Sequence, residues 1–154
     1  MTKVTFEITT PADIPALQHV VEETHLFPSD MLPDMLAPMF AGDSPARWLT
    51  CQRDSEAIGL CFAEPEELTD RTWNMRALAL HPQYQGQGLG AALIRALEDQ
   101  LRADGQRLII VDTSGTGEFA KTRGFYSHIG YSQVACIPNY WAKGDDKIVF
   151  SKPL

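Results

Sequence analysis

The clearest chemistry in this chain lies in Gln85-Gly86-Gln87-Gly88-Leu89-Gly90-Ala91. A glycine-rich turn lets backbone N–H groups approach a ligand closely. Where such a turn opens a helix, the first-turn N–H groups are unpaired and carry partial positive charge. Together they form a cradle for a phosphate or pyrophosphate. Alternate glycines weaken a helix start, so a purely structural connection gains nothing from them. Three further groups could act on a bound ligand: the phenol of Tyr126 and the carboxylates of Glu64 and Asp112.

Two ligand classes compete for the loop. Gly86-x-Gly88-x-x-Ala91 satisfies a dinucleotide fingerprint, and Asp112 lies about 20 residues beyond it, where a ribose-binding acid belongs. The context argues against that reading. Several short strands precede the loop, and too few residues follow Asp112 to complete a doubly wound sheet. A P-loop is excluded, because no Gly-Lys-Ser/Thr follows the glycines.

The elements that must hold these residues can be read from periodicity. Val4, Phe6 and Ile8 alternate as a short strand. Thr10 is placed to cap a helix with Pro11 at its first position, and Ile14, Leu17, Val20 and Val21 recur at helical spacing. Pro28, Pro33 and Pro38 break the next stretch, leaving one short helix over 30–37. Residues 47–52, 57–63 and 72–80 read as three strands of an antiparallel meander. Leu89, Ala92, Leu93, Ala96, Leu97 and Leu101 form one face of the strongest helix, which stops near Gly105. Residues 107–111 are a strand apolar on both faces, and a helix over 119–129 closes at Gly130. Residues 131–137 and 147–152 are the last strands, with 138–146 a loop carrying Tyr140 and Trp141.

Composition narrows the function classes. The chain has 154 residues, the size of one compact domain over 1–154. Twenty acidic residues against 13 basic ones give a formal net charge of −7. Nucleic-acid binding, which needs clustered cations, is therefore not expected. An acidic surface favours cationic partners, amines included. No apolar run reaches the roughly 18 residues of a membrane span, and no leader-like block opens the chain, so a cytoplasmic protein is expected. Cys51, Cys61 and Cys136 are too far apart for a CxxC pattern; no metal site is expected, only reduced thiols.

Gln85-Gly86-Gln87-Gly88-Leu89-Gly90 resembles motif A of the GNAT superfamily of N-acetyltransferases, whose signature is Gln/Arg-x-x-Gly-x-Gly/Ala. The preceding Leu78-Ala79-Leu80-His81-Pro82 is similar to that family's cofactor strand. Gly124-Phe125-Tyr126-Ser127-His128-Ile129-Gly130-Tyr131 resembles its Phe-Tyr segment. The resemblance spans essentially the whole chain. It implies a GNAT fold of the α/β (α+β) class. Its mixed, mostly antiparallel sheet has six to seven strands, is flanked by helices, and splays between the motif A strand and the next parallel strand. Acetyl-CoA would lie in that gap as the acetyl donor. Leu78, Ala79 and Leu80 would pair with its pantetheine arm. Gln85, Gly86, Gln87, Gly88, Leu89, Gly90 and Ala91 would hold the pyrophosphate, Gln85 giving a hydrogen bond where the family more often has Arg.

The implied reaction is direct acetyl transfer, within a ternary complex, to a primary amine of a small molecule. An alkylamine with pKa near 10.4 must lose a proton, and the leaving thiolate gains from an acid. Tyr126 matches the family tyrosine beside the thioester sulfur, as cofactor contact and acid. Glu64 is the base candidate, because the family's Glu or His positions fall here on Asn74 and Arg76. An Asn that often contacts the cofactor arm is replaced by Phe119, with residues 112–115, Thr122 and Arg123 as substitutes. His81 is read as structural. His25 and the Phe27–Phe40 segment sit where the family builds its acceptor pocket, with Tyr140 and Trp141 opposite. A homodimer that exchanges C-terminal strands accords with the resemblance. A CoA-binding sensor of the same fold, without turnover, is the alternative.

Overall fold

The computed structural model describes residues 1–154. In chain order the elements are β1 (Val4–Ile8), α1 (Ile14–Thr24), α2 (Leu32–Phe40), β2 (Arg47–Arg53), β3 (Glu56–Pro65), β4 (Thr72–Leu80), α3 (Leu89–Ala103), β5 (Leu108–Ser114), α4 (Ala120–His128), β6 (Ser132–Ala142) and β7 (Asp145–Pro153). All seven strands join one sheet in the order β1-β2-β3-β4-β5-β7-β6. Only β4 and β5 pair in parallel, because α3 carries the chain back between them.

Local chemistry explains the boundaries. Thr10 caps a short turn over Pro11–Asp13, its N–H donating to Asp13 Oδ2 at 2.9 Å, and α1 continues from there. His25 closes α1 in the left-handed region. The helix expected over 30–37 runs instead over Leu32–Phe40 with Pro38 inside it. Burial of Leu32 and Leu36 outweighs the hydrogen bond that Pro38 cannot donate.

Each sheet face has its own core. Leu93, Ile94, Leu97 and Leu101 of α3 pack with Tyr126 of α4 on Cys61, Trp73, Met75, Ile109, Val111 and Phe150. Leu17, Val20 and Val21 of α1 and Leu32 and Leu36 of α2 cover Trp48, Leu60 and Ala79 on the other face. One polar group is sealed into the first core. Glu98 is 3% exposed, accepts from Tyr131 Oη at 2.7 Å and from Lys152 Nζ at 3.0 Å, and so ties α3 to β7.

The C-terminal hairpin corrects one expectation. Tyr140 and Trp141 do not sit in a long loop; β6 runs on to Ala142 and turns tightly through Gly144. Between Ile137↔Lys147 and Ala142↔Asp145 the ladder skips, so 138–141 bulge from it. Pro138 has no N–H to give, and Asn139 takes a left-handed φ of 57°. Trp141 Nε1 pins the bulge by donating to the Thr113 carbonyl at 3.2 Å. All of β6 is solvent-exposed.

Candidate active site

The parallel ladder is short. Thr72, Trp73 and Asn74 pair with Leu108, Ile109 and Ile110, and there pairing stops. β4 continues to Leu80 and β5 to Ser114 without a shared ladder, so the two strands open as a fork. Along that opening β4 is paired only on its β3 side. A bulge at Arg76, where Phe62 faces Ala77 but Ala63 faces Met75, turns Arg76 out to solvent and helps part the strands. Gly59 fixes Ala79 and Leu80: a Cβ there would lie 2.9 Å from the Ala79 carbonyl and 2.7 Å from Leu80 Cδ1. Only glycine permits that approach.

The glycine loop sits at the wide end of the fork. His81 Nδ1 accepts from the Gln83 N–H at 3.1 Å, which caps the turn and matches its structural reading. Gly86 and Gly88 adopt φ of 79° and 78°, and a Cβ at either would meet nothing within 4 Å. Gly88 is the N-cap of α3 and brings no side chain to its first-turn N–H groups. Bare donors beside open space, with no acidic residue in the first turn, suit a phosphate group. Gln85, expected to give a hydrogen bond to the pyrophosphate, bonds within the protein here. Its Nε2 donates to the Leu80 carbonyl at 2.9 Å and so closes the loop onto β4. Gln87 completes the turn, and Leu89 and Ala91 open α3, with Leu89 packed toward the core. Across the loop, Phe125 lies 3.7 Å from where a Gly90 Cβ would be, which brings α4 against the cradle.

Tyr126, next to Phe125, is 5% exposed. Its ring packs on Phe125, Tyr131 and Phe150 at centroid distances of 5.3, 5.7 and 5.8 Å. No protein group bonds its hydroxyl, yet that oxygen is not sealed from solvent. Burial pushes the phenol's pKa well above its ordinary 10.0. The group is a protonated donor lacking a partner.

Glu64 and Asp112 are set apart by their surroundings. Glu64 accepts from Arg76 Nε at 3.0 Å and is 40% exposed, so it is a screened ion pair at the sheet rim. Asp112 stands two residues past the last parallel pair, at the floor of the fork. Its Oδ2 meets Lys147 Nζ at 3.4 Å and Asn74 Nδ2 at 3.3 Å, while its Oδ1 is buried without a partner. Asn74 Oδ1 is likewise buried and unpartnered. Two orphaned acceptors cost about 1–3 kcal/mol each and call for N–H donors. In the sequence, Asp112 is marked by the dinucleotide spacing and as part of 112–115, a substitute contact for the cofactor arm; its place at the fork depends on where the ladder ends. Arg123 clamps the base of α4 by donating to the Ser114 and Thr116 carbonyls at 2.8 and 2.7 Å.

Of two cavities, only the first is lined by residues of the expected acceptor segment. A cavity of about 410 Å³ at the α1–α2 connection is lined by Val21, Glu22, His25, Phe27, Pro28 and Ser29. A second, of about 480 Å³, is a groove lined by Ser44, Pro45, Glu64, Pro65, Glu66, Glu67 and Arg76. The two share no lining residue.

The family model for GNAT acetyltransferases matches residues 14–131, which include the cradle, the fork and Tyr126. The chain belongs to the GNAT family. As a GNAT protein it is an acetyl-CoA-dependent N-acetyltransferase. It is 26% identical to the [ribosomal protein bS18]-alanine N-acetyltransferase of Escherichia coli K12, over 92% of each chain. Among solved structures, a protein from Desulfovibrio desulfuricans described as an acetyltransferase of the GNAT family superposes with a TM-score of 0.89. It is 28% identical, over 98% of this chain and 99% of that one. A Salmonella typhimurium protein solved with its cofactor acetyl-CoA shares the GNAT fold at a TM-score of 0.78 and 18% identity, over 98% and 94%. No helix of this GNAT protein is long and apolar enough to cross a membrane.

Proposed function

We propose that this enzyme binds acetyl-CoA across the β4–β5 fork and transfers its acetyl group directly to the primary amine of a small molecule. The observation that carries the reading is the early end of the parallel ladder at Asn74 and Ile110, which leaves a fork whose wide end carries a bare glycine cradle. The N–H groups of 86–91 would hold the pyrophosphate. The unpaired edge of Leu78–Leu80 would take the pantetheine arm as an added strand. Gln85 would act mainly by holding Leu80 in place.

The amine nitrogen attacks the thioester carbonyl, forming the C–N bond. The tetrahedral oxyanion is stabilised by backbone N–H on β4. As the C–S bond breaks, the electron pair goes to sulfur and the Tyr126 hydroxyl donates its proton there, while the proton lost by the amine nitrogen leaves through solvent and an equivalent one restores the phenol. Asp112 replaces Glu64 as the group facing the acceptor, because its Oδ1 is free and at the fork, whereas Glu64 is held by Arg76. It would accept an N–H of the incoming amine and orient its lone pair. Asp112→Asn should lower kcat/KM for the amine by about 10- to 100-fold with acetyl-CoA affinity unchanged, and an unaffected kcat/KM would remove the assignment.

One observation favours a second acceptor, the N-terminal alanine of a protein: the Escherichia coli relative is named for that activity. Comparing initial rates on simple alkylamines and on alanine-started peptides separates the two readings. The fully exposed β6 edge supports a homodimer formed through the C-terminal hairpin, which analytical ultracentrifugation tests.

A further inference from the structure

The Tyr126 hydroxyl has no protein partner, so nothing holds this phenol at its tip. It can be aimed only through its ring. Reacting groups tolerate little error in aim: a misplacement of about 1 Å can cost on the order of 100-fold in rate. Of the three aromatic rings around it, Phe125 and Phe150 are plain hydrocarbon. Tyr131 is not, and it meets Tyr126 edge-on, with centroids 5.7 Å apart and planes at 66°. The Tyr131 N–H also donates to the Tyr126 carbonyl at 3.0 Å, so the two residues are joined at backbone and ring.

Tyr131 is itself fixed at its far end. Its Oη donates to Glu98 Oε2 at 2.7 Å. Burial, and then the carboxylate beside it, push this phenol's pKa above its ordinary 10.0, so the proton stays in that bond. Lys152 Nζ donates to the other Glu98 oxygen at 3.0 Å and to the Ile129 carbonyl at 3.4 Å, and it lies 5.6 Å from the Tyr131 ring centre. Thus α3 acts on this ring through Glu98, and β7 acts on it through Lys152. β7 presents Phe150 and Lys152 on one face, so the same strand touches both phenols. Packing alone does not call for such a trio. A buried ion pair loses hydration, and apolar residues of similar volume in its place are often neutral or stabilising. What the trio adds is a fixed angle for Tyr131, and so for the ring it abuts.

We infer that Tyr131, anchored by Glu98 and Lys152, is a positioning residue that holds the Tyr126 phenol in one orientation, its hydroxyl aimed at the departing sulfur. This rests on the proposed acetyl transfer with Tyr126 as its acid, and it adds residues that never touch substrate.

The test is a mutant cycle read by steady-state acetylation of pentylamine and of Ala-Gln-Ala. Tyr131→Phe keeps the ring and cuts its anchor. kcat should fall about 5- to 50-fold, with acetyl-CoA affinity by calorimetry and the amine KM within about twofold. In a Tyr126→Phe background the same change should cost less than about twofold, because no hydroxyl is left to aim. The triple variant Glu98→Leu/Tyr131→Phe/Lys152→Met leaves no orphaned charge. It should resist urea at least as well as Tyr131→Phe and be equally slow, which separates aim from stability, and it carries the comparison should Tyr131→Phe fail to fold. Ring-labelled Tyr126 gives a readout without turnover: its ring flip, followed by NMR line shape, should be at least fivefold faster once the anchor is cut. A Tyr131→Phe kcat within twofold of the parent beside a slow Tyr126→Phe overturns the inference. So does an equal loss in both backgrounds, a kcat that recovers with stability in the triple variant, or an unchanged flip rate. A parental kcat in Tyr126→Phe instead overturns the acid role, and turnover of neither acceptor overturns the proposed reaction. In both cases the flip rate still decides whether Tyr131 holds the Tyr126 ring.

Discussion

Replacing Tyr126 by Phe removes one oxygen and leaves the packing. The ring keeps its contacts with Phe125, Tyr131 and Phe150, and no protein hydrogen bond is lost because the hydroxyl makes none. Stability should change by less than about 0.5 kcal/mol, the range of substitutions that break no named contact. Acid assistance is typically worth about 10²- to 10⁴-fold. Burial moves this phenol's pKa upward, further from working pH, which makes it a weaker acid. The loss in kcat should therefore fall at the lower end, about 10- to 1,000-fold, or roughly 1.4–4 kcal/mol of barrier. The raised pKa also means that the parent keeps its phenolic proton throughout pH 6–9 and shows no falling limb from it there. Steady-state rates across that range, with calorimetric acetyl-CoA affinity and urea unfolding of both proteins, give all three quantities. If kcat stays within threefold while affinity and stability are also unchanged, the thiolate leaves without help from Tyr126 and the acid role is wrong.

Gly88→Glu puts a carboxylate among the donors of the cradle and forces a side chain onto a φ of 78°. Acetyl-CoA affinity should fall at least about tenfold with helical circular dichroism retained, and undiminished affinity would move the pyrophosphate elsewhere. Lys152→Met leaves Glu98 buried with Tyr131 alone, so urea unfolding should show a loss of about 3 kcal/mol, and a loss below 1 would mean the pair is not structural. Stability should also fall at high pH. Burial raises the Cys51 and Cys61 thiols from 9.0 to about 11 and about 12. Above pH 9 the unfolded thiols ionise while the native ones keep their protons. The contribution is complete below pH 9 and is lost as pH rises toward 12. Urea midpoints at pH 8 and 10.5 should drop in the parent and drop less in Cys61→Ala; a flat parent profile would contradict the burial argument.

The parts of this fold that rest on local rules are legible in the sequence. Strands β2, β3 and β4, the long helix from Leu89 and the glycine turn all follow from periodicity and punctuation, and the structure holds them within a few residues. What sequence does not show is pairing across distance. Glu98 reads as the polar side of α3, because Lys152 and Tyr131 reach it from 54 and 33 positions away. Asp112 becomes a floor residue only because the parallel ladder stops at Ile110. Glu64 reads as a free carboxylate until the Arg76 bulge turns a guanidinium onto it. Tyr140 and Trp141 read as loop because Pro138 and Asn139 are turn residues; here those residues make a bulge within β6.

The most direct test is release of coenzyme A thiol from acetyl-CoA by the purified protein, with and without a primary amine. Release should depend on the amine, match acetylated product one to one, and disappear when acetyl-CoA is kept out of the cradle by Gly88→Glu. Tight acetyl-CoA binding, with no release above the blank for any alkylamine or alanine-started peptide, would contradict it and leave a CoA-binding sensor of the same fold.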